Sequence, residues 1–111
     1  METFRADVGS TGPVCIRGGG KRWSLGGDIG AEVRVVHAPS GIDSHDPAEM
    51  TVAVWAGTTL TDLAEALAEK RQEVGLDGPP GSTVGGSLAV GWNGIRRLRT
   101  GTARDTLLQA E

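Results

Sequence analysis

Apolar and polar positions divide this chain into short runs separated by glycine. Val14-Cys15-Ile16-Arg17, bounded by Pro13 and Gly18, reads as a buried strand ending in a turn. Val33-Arg34-Val35-Val36 is a β-branched second strand. Thr51-Val52-Ala53-Val54-Trp55 is a third, with Val52 and Val54 on one face and Thr51 and Ala53 on the other. From Thr59 the period changes: Leu60, Leu63, Ala64 and Leu67 recur at helical spacing, and Glu65, Glu69, Lys70 and Arg71 decorate the opposite side. Thr59 is the expected N-cap, with Asp62 three residues on. After the turn Asp77-Gly78-Pro79-Pro80-Gly81, Ser82 or Thr83 caps a short glycine-opened helix from Val84 to about Val90. Thr106-Leu107-Leu108 begins an apolar segment of strand character, and residues 1–12 read as a loose lead-in to a domain over 13–111. The expected class is α+β, a small sheet of about three strands flanked by helices.

Length and charge narrow the function. At 111 residues the chain is one domain or a piece of one. A net charge of -3 argues against a general nucleic-acid binder, whose footprint is basic. One cysteine excludes an intramolecular disulfide and suits a reducing compartment. No apolar run approaches the ~20 residues of a membrane span, and Met1-Glu2-Thr3-Phe4-Arg5 lacks a signal-peptide core. A small cytoplasmic protein is the expectation.

Glycine changes the picture. Eighteen of the 111 residues are glycine, about 16% against a usual share near 7%. They fall in two groups, Gly18, Gly19, Gly20, Gly26 and Gly27, then Gly78, Gly81, Gly85, Gly86, Gly91, Gly94 and Gly101. A strand ending in consecutive glycines presents backbone N–H groups with no side chains in the way, which suits phosphate oxygens. A short helix opening at Gly85-Gly86 adds further unpaired donors. Two such loops match a ligand with two phosphates, although either alone reads equally well as a tight turn. Familiar glycine motifs do not fit. Gly20-Lys21 is followed by Arg22 and position 16 is Ile16, so there is no Walker loop. A dinucleotide fingerprint from Gly18 and Gly20 needs glycine where Trp23 stands, and no serine sits in Gly-x-Ser-x-Gly.

Four stretches, in order, resemble a known family. They are Pro13-Val14-Cys15-Ile16-Arg17-Gly18-Gly19-Gly20 through Gly26-Gly27; Gly41-Ile42-Asp43 and Asp46-Pro47-Ala48-Glu49-Met50-Thr51-Val52; Ala56-Gly57-Thr58-Thr59-Leu60; and Thr83-Val84-Gly85-Gly86-Ser87-Leu88-Ala89 with Gly94-Ile95-Arg96-Arg97-Leu98-Arg99-Thr100-Gly101-Thr102-Ala103-Arg104-Asp105. Together they resemble the FAD-linked oxidases of the vanillyl-alcohol-oxidase (PCMH) type, and within them the FAD-binding subunits of oxidases of the glycolate type. The resemblance implies the N-terminal subdomain of a two-part FAD domain, part of a flavin-dependent 2-hydroxy-acid oxidase or dehydrogenase.

It further implies that Gly18, Gly19 and Gly20, with Thr83, Gly85 and Gly86, wrap the pyrophosphate and adenosine end. Arg17, Lys21, Gly81, Ser82, Val84, Gly94 and Gly101 stand beside them as candidate contacts. Arg104 and Asp105 occupy a motif near the flavin site, as an ion pair or as flavin contacts. Covalent relatives carry histidine in the first loop; Gly20-Lys21-Arg22-Trp23-Ser24 has none, so FAD is expected noncovalently. Lys21 and Arg22 either add charge near the phosphates or remain solvated. Gly85→Val is expected to place a side chain against the phosphates. The family's second subdomain and substrate cap lie beyond Glu111, so the chain is expected to be a fragment, to work with a partner, or to be a truncated nucleotide-binding or interaction module without turnover. An electron-accepting subunit such as an iron–sulfur protein is the implied partner, and no residue here is a convincing catalytic acid or base.

The remaining chemistry-bearing residues read more plainly. His37, Asp43, His45 and Asp46 match no standard metal-ligand spacing, and no metal is expected. Cys15 reads as an inert strand thiol. Arg96, Arg97, Arg99 and Arg104 with Trp92 make a short basic patch better suited to cofactor or subunit contacts than to nucleic acid. Trp23 and Trp55 read as packing residues.

Overall fold

The computed structural model describes residues 1–111 as an α+β chain with two small sheets. Strand β1 (Val14–Ile16) pairs in parallel with β2 (Arg34–Val36), Cys15 facing Val35. Strand β3 (Ile42–Asp46) pairs antiparallel with β4 (Thr51–Val54), His45 facing Val52. The single sheet of about three strands is therefore corrected to four strands in two separate pairs. Strand β3 escapes the sequence pattern because Ile42-Asp43-Ser44-His45-Asp46 holds one apolar residue and is exposed at four of its five positions. Its hairpin closes locally: the Asp46 carboxylate accepts from the backbone N–H groups of Ala48 (3.1 Å) and Glu49 (3.2 Å).

The lead-in is also more ordered than its composition suggests. Helix α1 (Glu2–Val8) forms there. Arg34 of β2 reaches its C-terminal end and donates to the carbonyls of Asp7 and Val8, both at 2.7 Å. A cation on the last carbonyls offsets the negative end of the helix dipole.

Helix α2 (Leu60–Ala68) begins where expected, Thr59 accepting from the Asp62 N–H at 3.1 Å. Its inner face carries the core. Leu63 and Leu67 meet Leu76, Val84 of α3 (Val84–Val90) and Ala103 of α5 (Ala103–Thr106), with Val52, Val54, Leu60, Val74 and Leu88 packed around them. Between α3 and α5 lies α4 (Arg97–Thr100). Thr58 is buried in the turn before α2, accepting from the Gly41 N–H at 2.9 Å and donating to the Gly41 carbonyl at 3.0 Å. This ties the start of β3 to the turn that leads into α2. The expected strand at 106–108 is absent. Residues after α5 pair with no strand, and Leu108 is exposed.

Candidate functional site

Loop 17–23 starts as β1 leaves its partner. The Arg17 N–H makes the last ladder bond, to the Val36 carbonyl at 2.8 Å. The next five backbone N–H groups, of Gly18, Gly19, Gly20, Lys21 and Arg22, bond to no protein acceptor; Trp23 resumes pairing by donating to the Gly20 carbonyl at 3.4 Å. A short 3₁₀ turn, Trp23–Gly26, follows. Gly18, Gly19 and Lys21 are exposed, and open amides also run through 28–32 and 92–96. What sets the 18–22 row apart is that three of its residues carry no side chain, which leaves the amides accessible to an anion. Gly20 sits at φ 69°, where a side chain would strain the backbone.

The second glycine loop lies directly against this row. A Cβ on Gly18 would stand 2.6 Å from Thr83 Oγ1, and one on Gly19 would strike the Gly81 carbonyl oxygen. Gly81, at φ 83°, faces Lys21, whose Cε would be 2.6 Å from an added Cβ. The structure thus brings residues 18–21 together with residues 81–83, and glycine is required where the two backbones meet. Thr83 and Ser82 are buried at this junction.

The helix opening behind it is built differently from expectation. Val84 N–H donates to the Thr58 carbonyl and Gly85 N–H to the Ala56 carbonyl, both at 2.8 Å. Gly86 N–H donates to Thr83 Oγ1 at 3.2 Å, and Ser82 N–H to the Pro79 carbonyl at 3.0 Å. These amides are occupied by the protein itself, so the expectation of a second open donor row is corrected. Between residues 81 and 86, Gly81 and Thr83 keep unpaired N–H groups. A Cβ on Gly85 would stand 2.8 Å from the Ala56 Cβ, so packing against Ala56 already requires glycine there.

The later candidates serve the fold of the 91–106 segment. A Cβ on Gly94 would strike the Asp77 carboxylate. Gly101, at φ 82°, ends α4 beside Asp105. Asp105 Oδ2 accepts from both the N–H and the hydroxyl of Thr102 at 2.8 Å, a reciprocal cap on α5. The Thr102 backbone N–H, then its hydroxyl, hold the Asp105 carboxyl below its ordinary value. Arg104 is exposed and makes no salt bridge to Asp105, so the expected ion pair is corrected to a helix cap. Arg96 instead anchors the segment, donating to Asp77 at 2.9 Å and Glu73 at 3.1 Å. A cleft of about 460 Å³ lies between Asp77-Gly78-Pro79 and Trp92 through Arg96. His45 contacts Gln72 at 2.9 Å, linking β3 to the residues after α2.

Two contacts escaped the sequence reading. The Arg17 guanidinium lies over Trp23, 4.8 Å from the ring centroid, and the Arg22 guanidinium lies over Trp92 at 5.2 Å. Arg22 Nη2 is buried without a hydrogen-bond partner. The first pair was readable as Arg and Trp flanking one loop; the second joins distant segments and left no local signal.

These loops offer neutral amide donors and positive side chains, which fits the diphosphate of a dinucleotide. They assemble no acid–base pair. No helix is long and apolar enough to cross a membrane. The chain is similar to glycolate oxidase subunit GlcE of Escherichia coli (strain K12), 28% identical over 97% of this chain and 32% of that protein, and so spans about a third of its relative's length. No solved structure matches it. Over residues 8–111 the sequence matches the FAD binding domain family, and the chain belongs to that family, with FAD as its cofactor.

Proposed function

We propose that this chain holds FAD noncovalently, the diphosphate resting on the 18–22 amides beneath the 81–83 loop, as the FAD-binding part of a flavin-dependent 2-hydroxy-acid oxidase or dehydrogenase of the glycolate type. The observation that carries the reading is the run of five open backbone N–H groups in contact with a second glycine turn. Backbone donors in a concave loop stabilise phosphate oxygens with little reorganisation. Gly81 and Thr83 add two more free N–H groups at the same junction. Lys21 brings an ammonium to its edge, close to Gly81.

When bound, FAD would supply two-electron redox chemistry that the residues of this chain do not have. The residues of this chain bind and orient the cofactor. Substrate contacts and the electron-accepting partner subunit belong to the assembly in which the similar GlcE subunit suggests it works.

The test is FAD titration of the wild type and of Gly19→Val. Valine collides with the Gly81 carbonyl and forces the two loops apart, so at least about a tenfold loss of affinity is expected with α2 intact by circular dichroism. Unchanged affinity in a folded variant overturns the site. Denaturing the loaded protein should release all the FAD, and flavin that stays on the chain would overturn noncovalent attachment. In the assembled oxidase, glycolate or lactate should bleach the visible flavin absorbance, and persistent colour would refute the substrate class.

A further inference from the structure

We propose that the Arg22 guanidinium is a charged contact to the diphosphate, held ready by stacking on Trp92; this rests on the amide row being the diphosphate site. Residues 13–27 contain Arg17, Lys21 and Arg22 and no Asp or Glu, in a chain whose net charge is -3. None of the three has a carboxylate within salt-bridge distance, since Arg96 makes both salt bridges in the structure. The Arg17 guanidinium lies against Gly20 and Lys21 against Gly81, so unneutralised positive charge stands beside the open amides and favours an anion there.

Arg22 stands out among the three cations. It contributes the last open amide of the row, and its guanidinium lies over the Trp92 ring. Its Nη2 is nevertheless buried with no acceptor, whereas Arg34 and Arg96 have theirs. Nη2 is closed off by the protein, but Nε and Nη1 have no protein acceptor and are not buried in the same way, so they are the groups left for a phosphoryl oxygen. Stacking on an indole uses the face of the guanidinium and leaves its in-plane N–H groups for an oxyanion.

The experiment compares ADP with adenosine as calorimetric probes of wild type, Arg22→Gln and Arg22→Lys, each checked for native circular dichroism. Arg22→Gln should weaken ADP by about tenfold to a hundredfold, the scale of one hydrogen bond to a charged group. Adenosine binding should be unchanged, the salt dependence of ADP binding shallower, and Arg22→Lys intermediate. Equal losses for ADP and adenosine would mean that Arg22 only packs on Trp92, which overturns the proposal; so would unchanged ADP affinity. If Gly19→Val loses ADP while Arg22→Gln does not, the amide row stands and this inference alone fails. A wild type that binds no ADP removes both. Trp92→Leu is the second variant should Arg22→Gln not fold: freeing the guanidinium should weaken ADP and spare adenosine, and any other pattern counts against the stack.

Discussion

At Gly85 the space for a side chain is filled by the protein, the Ala56 Cβ and carbonyl oxygen lying 2.8 Å and 3.0 Å from where a Cβ would stand. Gly85→Val should therefore destabilise the ligand-free protein by about 1–3 kcal/mol, the usual cost of overpacking. Urea unfolding without FAD measures it, and an unmoved midpoint would show that the turn yields freely. Asp105 gives a residue-scale pH dependence. Its folded pKa is depressed by the Thr102 N–H and hydroxyl, so the stabilisation is present above the ordinary value of 3.8 and fades as pH falls through the lower folded value. Melting temperature measured from pH 6 down to pH 2 should fall less steeply for Asp105→Asn than for wild type. Parallel curves would remove the cap from the acid response.

Among the elements, Gln72 latches the β3–β4 hairpin to the residues after α2. Its amide donates to the Pro47 carbonyl at 2.7 Å and its carbonyl oxygen meets His45 Nε2 at 2.9 Å. Gln72→Ala should cost about 1 kcal/mol or more, since both hairpin groups lose a half-buried partner. Denaturant melts check this, and no change would mean water replaces the amide without loss. The exposed pairs of Arg96 should matter less, roughly 0–1 kcal/mol, and fade in high salt. Strands β1, β2 and β4 and helices α2 and α3 were legible because each carries an apolar run, a period or a Thr cap. Helix α1 and strand β3 were not, because Arg34 and the partner strand β4 hold them and no pattern of their own does. The site divides likewise. A glycine run after a strand announced the 18–20 loop, but spacing cannot say whether a glycine is small for a ligand or for Ala56. Nor can it show that Arg22 will meet Trp92.

At the scale of the whole molecule, packing is thin. Ten of 111 residues are buried, and the radius of gyration is 15.0 Å, against about 13 Å for a compact domain of this length. Domains are stable by a small margin, so a ligand bound only by the folded state adds a large share to the stability. The proposed FAD site joins two segments far apart in the chain, residues 18–22 and 81–83, and unfolding separates them and abolishes the donor surface. At a concentration a hundred times its Kd, a ligand with no affinity for the unfolded chain adds about 2.7 kcal/mol. For a domain of this size each kcal/mol raises Tm by roughly 4–8 °C. Saturating FAD should therefore lift the melting temperature by on the order of 10–20 °C, and riboflavin, which lacks the diphosphate, by much less. An equal shift with riboflavin would place the binding energy on the ring system and away from the amide row.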